Sequence, residues 1–272
     1  MINVAEALRD ATDQIGVDWA RIDAEILMAH ALGMSRSAML LSAMRDPAPE
    51  SFAPLLARRL ADEPVAYILG SAEFFGRSFA VSPAVLIPRG DSESVVAAAL
   101  EAAPAARSIL DCGTGSGALL LTLLAELPQA SGTGIDRSDA ALKVARANAE
   151  ALGLASRTKL VPADWTVSGW AADMGRFDLV IANPPYVEAD AMLDASVREH
   201  EPHGALFAGP EGLDDYRVII PQLHKLLVPG GIAVLEIGAS QNEAVGALAR
   251  ESGFAVTLRR DLADRPRALI LR

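Results

Sequence analysis

The chain has 272 residues, of which 51% are hydrophobic and 22% are charged, a composition typical of a globular protein with a substantial core. The 35 acidic residues outnumber the 24 basic ones, and the formal net charge of −11 disfavours a nucleic-acid ligand. Phosphate binding relies on clustered positive charge, which such a composition makes scarce.

The compartment is predicted from three local features. The single cysteine, Cys112, allows no internal disulfide and is typical of a reducing compartment. The first ten residues include both acidic and basic side chains, so they do not show the basic start and apolar run that are typical of a signal segment. The most apolar run, residues 118–125, is too short to cross a bilayer. We therefore expect a cytoplasmic protein that does not associate with membranes.

The first 62 residues are predicted to form a bundle of short amphipathic helices. Asn3 can cap a helix that begins at Val4, and Asp18 can cap a second one that runs to Gly33. Ser35 starts a third helix, and Pro49 is expected in the first turn of a fourth. No nucleophile is paired with a base here, so we expect a module for docking or stability rather than catalysis.

The remainder of the chain predicts a β-hairpin followed by an α/β fold. Alternating aromatic and aliphatic residues between 71 and 88, around Gly76, indicate the hairpin. Beyond Ser92, helices alternate with strands, which predicts a mostly parallel sheet with helices on both faces. The last two apolar stretches lack an intervening helix and are expected to pair antiparallel at one edge. The predicted strands are 108–112, 132–136, 158–161, 177–182, 232–237, 254–259 and 268–271.

We accordingly expect three parts: a helical domain over residues 1–70, a β-hairpin linker over 71–88, and an α/β domain over 89–272. The two predicted domains differ in kind, since only the second has the alternation of a nucleotide-binding fold.

A glycine-rich turn, residues 111–117 (hereafter the glycine turn), follows the first predicted strand of the sheet and opens an apolar helix over 118–126. Glycines allow a tight turn and a close approach of the backbone to a ligand. The string also satisfies a dinucleotide fingerprint, in which a diphosphate lies on the helix N-terminus. Asp136, at the end of the next strand, can accept hydrogen bonds from ribose hydroxyls in either case. The turn therefore predicts a nucleoside-like cofactor without identifying it.

Asn183-Pro184-Pro185-Tyr186, hereafter the acceptor motif, follows the predicted strand 177–182 at the edge of the sheet where ligands bind in such folds. The Asn183 side-chain oxygen and the Pro184 carbonyl can each accept one N–H of a planar amino group. The two prolines stiffen the segment and remove donors, and Tyr186 can stack on a flat acceptor. This chemistry suits methyl transfer to a nitrogen that becomes positive, with the rate coming from positioning and carbonyl dipoles.

The glycine turn, Asp136 and the acceptor motif together resemble class I methyltransferases that act on planar amino nitrogens, either of adenine in DNA or of glutamine in proteins. Further strings resemble the peptide chain release factor glutamine methyltransferase family, and the resemblance spans residues 63–238. These strings are Val65-Ala66-Tyr67-Ile68-Leu69-Gly70, Glu73-Phe74 with Gly76, Ile87-Pro88-Arg89, Glu201-Pro202, Gly209 with Gly212-Leu213 and Tyr216, and Glu236-Ile237-Gly238. One departure is Gly90, where the family usually has proline.

The resemblance implies a class I methyltransferase Rossmann-like sheet, S-adenosylmethionine as donor, and the Gly-Gly-Gln glutamine of release factors as acceptor. It also implies that the helical domain helps to engage the factor. Asp136 would contact the donor ribose, Asp164 and Trp165 its adenine side, and Asn183 would lie between donor and acceptor. The residues facing the donor would be Gly113, Thr114, Gly115, Ser116 and Gly117. The acceptor would contact Asn183, Pro184, Pro185 and Tyr186, with Asn183, Pro184 and Tyr186 in catalytic roles.

Other functions remain as alternatives. The first is an amino-methyltransferase acting on adenine or another base in DNA or RNA, which the acidic composition disfavours. A dinucleotide-dependent oxidoreductase would leave the acceptor motif without a role, as would a noncatalytic binding module. The four histidines have no cysteine partners, and we expect no metal site. Glu201 could orient the acceptor loop or lie in solvent, and Arg89 could contact the release factor or pair with a carboxylate.

Overall fold

The computed structural model describes residues 2–272, which divide into two compact units. The N-terminal unit extends to Ser71 and also includes Leu193–His200. The larger unit comprises Ala72–Met192 and Glu201–Arg272. The inclusion of Leu193–His200 in the N-terminal unit is a feature that the sequence patterns did not indicate.

The N-terminal unit is helical, as predicted, and has its own core. Leu8, Leu27, Met28 and Met39 are fully buried within it. Its first five helices are α1 (Val4–Ile15), α2 (Ala20–Ala31), α3 (Arg36–Ser42), α4 (Phe52–Leu60) and α5 (Val65–Leu69).

Two of the predicted helix starts are confirmed. The Asn3 side chain accepts from the backbone of Glu6, and the Glu6 carboxylate accepts from the backbone of Asn3, which forms a complete capping box. The Ser35 hydroxyl caps α3 by accepting from the Ala38 amide at 3.2 Å. Both caps satisfy amides that the first helical turn leaves without a backbone acceptor.

Two other predictions about this region are wrong. Asp18 does not cap α2, because the helix begins at Ala20, whose amide donates to the Val17 carbonyl at 3.0 Å and closes this end with a backbone turn. Pro49 lies ahead of α4, and Pro54 occupies the first turn instead. That position tolerates proline because its N–H would have no helical acceptor.

The predicted hairpin exists but is shorter than expected. Strands β1 (Ser71–Phe74) and β2 (Arg77–Ala80) are joined by Phe75 and Gly76, with φ of +50° and +69°. Two residues with positive φ give a turn whose twist matches the strands. The chain from 81 to 88 is irregular, since Pro83 has no N–H for a ladder and Val85 closes a turn onto Ser82.

The larger unit contains the predicted mostly parallel sheet with an antiparallel edge. Its order is β5-β4-β3-β6-β7-β9-β8, and β9 pairs antiparallel with both β7 and β8. All seven strands occur within a few residues of their predicted positions. They are β3 (Ser108–Cys112), β4 (Ser131–Asp136), β5 (Thr158–Pro162), β6 (Phe177–Ala182), β7 (Leu227–Glu236), β8 (Val256–Arg260) and β9 (Pro266–Leu271).

Helices cover both faces of the sheet, because alternate strand residues enter two different cores. Ile109 belongs to one hydrophobic cluster and Leu110 to the other. Within residues 2–272, no helix combines the length and the apolar character needed to span a bilayer. The α-helices of the larger unit are α6 (Glu93–Ala102), α7 (Ala118–Glu126), α8 (Asp139–Ala151), α10 (Asp214–Ile219), α11 (Leu223–Leu226) and α12 (Asn242–Glu251), whereas α9 (Ala195–His200) belongs to the N-terminal unit.

Candidate active site

A cavity of about 1080 Å³, including its open mouth, lies at the carboxyl ends of β3, β4 and β6. Every residue that lines it belongs to the larger unit. Of the residues predicted to form the site, it brings together Gly113, Thr114, Gly115, Ser116, Asp136, Asp164, Trp165, Asn183 and Pro185.

The glycine turn is held tightly at the end of β3. The amides of Gly113 and Thr114 both donate to the Ile135 carbonyl on β4, at 2.9 and 2.8 Å. Gly113, Gly115 and Gly117 have φ of +79°, +55° and +83°, a region that favours glycine. Gly117 is the N-cap of α7 and does not line the cavity.

The space above Gly113 is narrow. A Cβ atom added there would lie 3.0 Å from Cη2 of the Trp165 ring, whereas a Cβ at Gly115 would meet nothing within 4 Å. The indole Nε1 of Trp165 donates to the Asp215 carboxylate at 2.7 Å, which fixes the orientation of the ring. Trp165 therefore packs against the glycine turn while lining the cavity, and its indole offers a flat apolar surface there.

Asp136 joins the turn to the next strand. Its carboxylate accepts from the Gly115 amide at 3.0 Å and from the Ser138 amide at 2.9 Å. Each carboxylate oxygen has a second lone pair, so the group can still accept from ribose hydroxyls.

Asp164 is oriented by its neighbour. Its Oδ1 accepts from both the amide and the hydroxyl of Thr166, at 2.8 and 2.7 Å. These hydrogen bonds hold the pKa of the Asp164 carboxyl below its ordinary value. The group is thus an anionic acceptor on the Trp165 side of the cavity.

The first residue of the glycine turn, Asp111, carries a buried carboxyl group. Asp111 Oδ2 accepts from the Thr114 hydroxyl at 2.8 Å, while Oδ1 is buried without a hydrogen-bond partner. Burial raises the pKa of Asp111 to about 7. Burial also raises the pKa of the adjacent Cys112 thiol, which leaves it a core residue without nucleophilic character.

The acceptor motif begins where β6 ends. Asn183 and Pro185 line the cavity, whereas Pro184 and Tyr186 do not. Among residues 2–272, no donor bonds to the Asn183 side-chain oxygen or to the Pro184 carbonyl. The Asn183 side-chain oxygen, which the sequence selected as an acceptor, therefore has no partner within the protein and belongs to a residue of the cavity wall, whereas Pro184 is buried beside it.

The Tyr186 side chain, which does not line the cavity, approaches a buried carboxyl group. Its hydroxyl approaches the Glu236 carboxylate at 3.5 Å, and burial raises the pKa of Tyr186 to about 12. Glu236 itself is 1% exposed, and its Oε2 has no hydrogen-bond partner. The side chain thus packs a neutral phenol against a buried carboxyl group behind the motif.

The structure adds residues that the sequence reasoning missed. The Tyr186 amide donates to the Leu206 carbonyl at 3.1 Å, and its carbonyl accepts from Gln241 Nε2 at 3.0 Å. Gly212, with φ of +65°, passes so close that an added Cβ would lie 2.2 Å from the Tyr186 oxygen. The sequence indicated these contacts only through the family strings that contain Gly212 and Gly238. Gln241 is not part of any of these strings.

Arg89 and Glu201 pair with each other, so Arg89 contacts a carboxylate, and the expectation that Glu201 could lie in solvent is wrong. Glu201 is buried, with 1% of its side chain exposed, and also accepts from the Ile87 amide. Arg137, which was not predicted, donates to the Gly204 carbonyl at 2.7 Å. These contacts bring residues 201–205 to the margin of the cavity.

The residues present fit a nucleoside donor. The glycine turn lines the cavity without a side chain at Gly113 or Gly115, and Asp136, Asp164 and the indole of Trp165 line the same cavity. A parallel sheet with an antiparallel β9, a glycine turn after β3, a carboxylate after β4 and this acceptor motif after β6 define a class I methyltransferase.

Comparisons with known proteins agree with this class and narrow it. Residues 91–206 match the family model described as methyltransferase small domain, and residues 5–70 match the PrmC N-terminal domain. The chain belongs to the release factor glutamine methyltransferase family. It is 43% identical to the release factor glutamine methyltransferase of Cereibacter sphaeroides, covering 100% of this chain and 99% of the relative. The corresponding Caulobacter vibrioides protein is 40% identical over 99% and 95%.

Solved structures show the same fold. A Pyrococcus furiosus methyltransferase superposes with a TM-score of 0.53 at 18% identity, covering 80% of this chain and 98% of that one. An O-methyltransferase family protein from Burkholderia thailandensis gives a TM-score of 0.51 at 18% identity, covering 99% and 91%.

Proposed function

We propose that this protein transfers a methyl group from S-adenosylmethionine to the side-chain amide nitrogen of the glutamine in the Gly-Gly-Gln motif of peptide chain release factors. The observation that carries the proposal is the placement of Asn183. Its unpartnered side chain lines the same cavity as the glycine turn, at the end of the neighbouring strand β6. The names of the relatives support a release factor as the substrate.

The acceptor nitrogen is a poor nucleophile because its lone pair is delocalised into the amide carbonyl, so the site has to orient it. The Asn183 side-chain oxygen and the Pro184 carbonyl would each accept one N–H of the amide. This turns the face of the nitrogen toward the donor side of the cavity. As the N–C bond forms, positive charge develops on the nitrogen, and the two oxygens stabilise it. The nitrogen then loses one proton to solvent water at the open mouth of the cavity, and S-adenosylhomocysteine remains as the leaving group.

The donor would be held by Gly113 to Ser116, with Asp136 on its ribose and with Asp164 and Trp165 on its adenine side. When bound, it supplies an electrophilic methyl group on a sulfonium whose S–C bond breaks as the N–C bond forms. The glycine turn allows close approach, and Trp165 supplies a flat, oriented surface. Pro185 lines the cavity and would limit the motion of the acceptor.

For the whole chain, we propose that residues 1–70 dock the release factor, 71–88 form the connecting linker and 89–272 carry the chemistry. The match of residues 5–70 to the PrmC N-terminal domain supports a separate role for the first part. A cytoplasmic location stays a prediction from the sequence and fits a substrate that acts in translation.

The test is to incubate the protein with isotopically labelled S-adenosylmethionine and purified release factor. Mass spectrometry of the Gly-Gly-Gln peptide should show one added methyl group on the glutamine. A release factor with that glutamine replaced by alanine is the matched control and should gain no label. Label in adenine of added DNA, with none in the factor, would favour the nucleic-acid alternative and contradict the proposal.

A further inference from the structure

The segment Glu201–Ala205, hereafter the strap, lies along the cavity and is anchored on three sides. Pro202, Gly204 and Ala205 contribute to the cavity wall. The anchors belong to three separate parts of the larger unit: the segment after the hairpin, the end of β4 and the acceptor motif. The strap is therefore placed to influence both the donor side and the acceptor side of the site.

The first anchor is the carboxylate of Glu201. Its Oε2 accepts from the Ile87 amide at 3.1 Å, and its Oε1 accepts from the Arg89 guanidinium. Glu201 is 1% exposed, whereas Arg89 is 38% exposed. A buried carboxylate is tolerated only when it is paired and hydrogen-bonded, and here both oxygens have partners. Ile87 and Arg89 themselves line the cavity, so this anchor joins two segments of the cavity wall.

The second anchor is Arg137, which follows Asp136 directly. Its guanidinium donates to the Gly204 carbonyl at 2.7 Å. A Cβ at Gly204 would lie 2.3 Å from the guanidinium, so a side chain at this position would displace the anchor. The residue beside the proposed ribose-binding carboxylate thus holds the middle of the strap.

The third anchor joins the strap to the acceptor motif. Beyond Ala205, the Leu206 carbonyl accepts from the amides of Tyr186 and Val187 at 3.1 and 2.8 Å. The Ala208 amide then donates to the Val187 carbonyl at 2.9 Å. A displacement of the strap would therefore reach the acceptor motif through the hydrogen bonds between Leu206 and the amides of Tyr186 and Val187.

We propose that Glu201 is a positioning residue that, through Ile87 and Arg89, fixes the strap across the donor cavity and sets the residence time of the donor. The inference rests on the proposed function, since it takes the cavity as the donor site. With the Glu201 anchor broken, the strap opens more often and the bound nucleoside escapes faster. Arg137 acts in the same direction from the other side.

The test measures binding of S-adenosylhomocysteine to the full-length protein by stopped-flow tryptophan fluorescence, with Trp165 in the cavity wall as the reporter. Glu201→Gln should raise the dissociation rate constant about tenfold, the effect expected from loss of a charged hydrogen bond. The association rate constant should change less than about twofold, because the strap slows escape more than it shapes the encounter. A purely structural defect would lower the affinity without confining the change to the dissociation rate constant.

Two further variants make the result decisive. Glu199→Gln removes an exposed carboxylate two residues away and should leave both rate constants unchanged. Arg137→Met removes the second anchor at an exposed position, so it should fold normally and also accelerate dissociation, even if Glu201→Gln does not fold. Wild-type dissociation rates in Arg137→Met and in folded Glu201→Gln would overturn the role of the strap while leaving the proposed function standing. No binding of S-adenosylhomocysteine by the wild type would overturn both.

Discussion

Gln241 donates from Nε2 to the Tyr186 carbonyl at 3.0 Å, which links the start of α12 to the last residue of the acceptor motif. The same nitrogen donates to the Gly212 carbonyl at 3.2 Å, and Oε1 accepts from the Gly238 amide at 3.1 Å. One buried amide group thus satisfies three backbone groups from three separate loops. The acceptor motif owes its rigidity to this contact as well as to its prolines.

Gln241→Leu should lower kcat for methyl transfer by about tenfold or more, because the Tyr186 carbonyl loses its partner and the motif loosens. S-adenosylhomocysteine affinity, measured by calorimetry, should change little, since Gln241 does not line the cavity. Asn242→Ala at the adjacent partly exposed position is the control. An unchanged kcat in Gln241→Leu would show that the prolines alone fix the motif.

Asn183→Ala should reduce kcat by about 100-fold or more, the range seen when one oriented group is removed from a transition-state site. Donor affinity should be partly retained, because the glycine turn, Asp136 and Trp165 are untouched. Single-turnover kinetics with release factor, together with calorimetry of S-adenosylhomocysteine, separate the two effects. Wild-type turnover by the variant would refute the role assigned to the side-chain oxygen.

Asp136→Ala should weaken donor affinity about tenfold or more, since it removes the acceptor proposed for the ribose hydroxyls. It also releases the Gly115 amide, which the carboxylate holds at 3.0 Å. Titration calorimetry is the measurement, and Asp173→Ala at an exposed position is the control. Equal affinity in Asp136→Ala and the wild type would count against the ribose contact.

Gly113→Ala should weaken donor binding because the new Cβ would lie 3.0 Å from the Trp165 ring and push it from its position. Gly169→Ala is a matched control, as its φ of +83° resembles the +79° of Gly113 but nothing lies within 4 Å of an added Cβ. Both variants carry the cost of a left-handed alanine, about 1 kcal/mol. Only Gly113→Ala should lower S-adenosylhomocysteine affinity, and equal affinities would contradict the account of the cavity.

The buried carboxyl of Glu236 predicts a pH dependence of stability. Burial raises its pKa from the ordinary 4.5 to about 7, against the opposing effects of the Ser92 hydroxyl and the Arg267 guanidinium, while nearby Asp91 raises it further. The folded state therefore binds more protons than the unfolded state between these pH values. The stability contributed by the protonated form is fully present below pH 4.5 and is lost as the pH rises through about 7.

Glu236→Gln removes this titration, so its free energy of unfolding relative to wild type should rise between pH 4.5 and pH 7, by on the order of 3 kcal/mol. Urea denaturation at a series of pH values is the measurement. Asp111, whose pKa is also raised to about 7, titrates in both proteins and cancels in the difference. Glu150→Gln, on an exposed face of α8, is the control, and parallel stability curves for Glu236→Gln and wild type would contradict the buried titration.

Local signals in the sequence were sufficient for most of the fold. Asn3 and Ser35 were recognisable as caps because a capping interaction spans only three residues. The strands were recognisable because β-branched and aliphatic runs recur between helical stretches. The same local reasoning misplaced the start of α2, where a backbone turn at Val17 closes the end without using the Asp18 side chain.

The sequence by itself determined the order of the elements, the glycine turn after β3 and the acceptor motif after β6, since glycine and proline act on their own backbone. Only the tertiary structure decided which distant side chains hold these motifs in place. Glu201 reaches Ile87 across 114 positions of the chain, and Gln241 reaches Tyr186 across 55. Such pairings depend on where the loops converge at the edge of the sheet, and no local periodicity or spacing records that convergence.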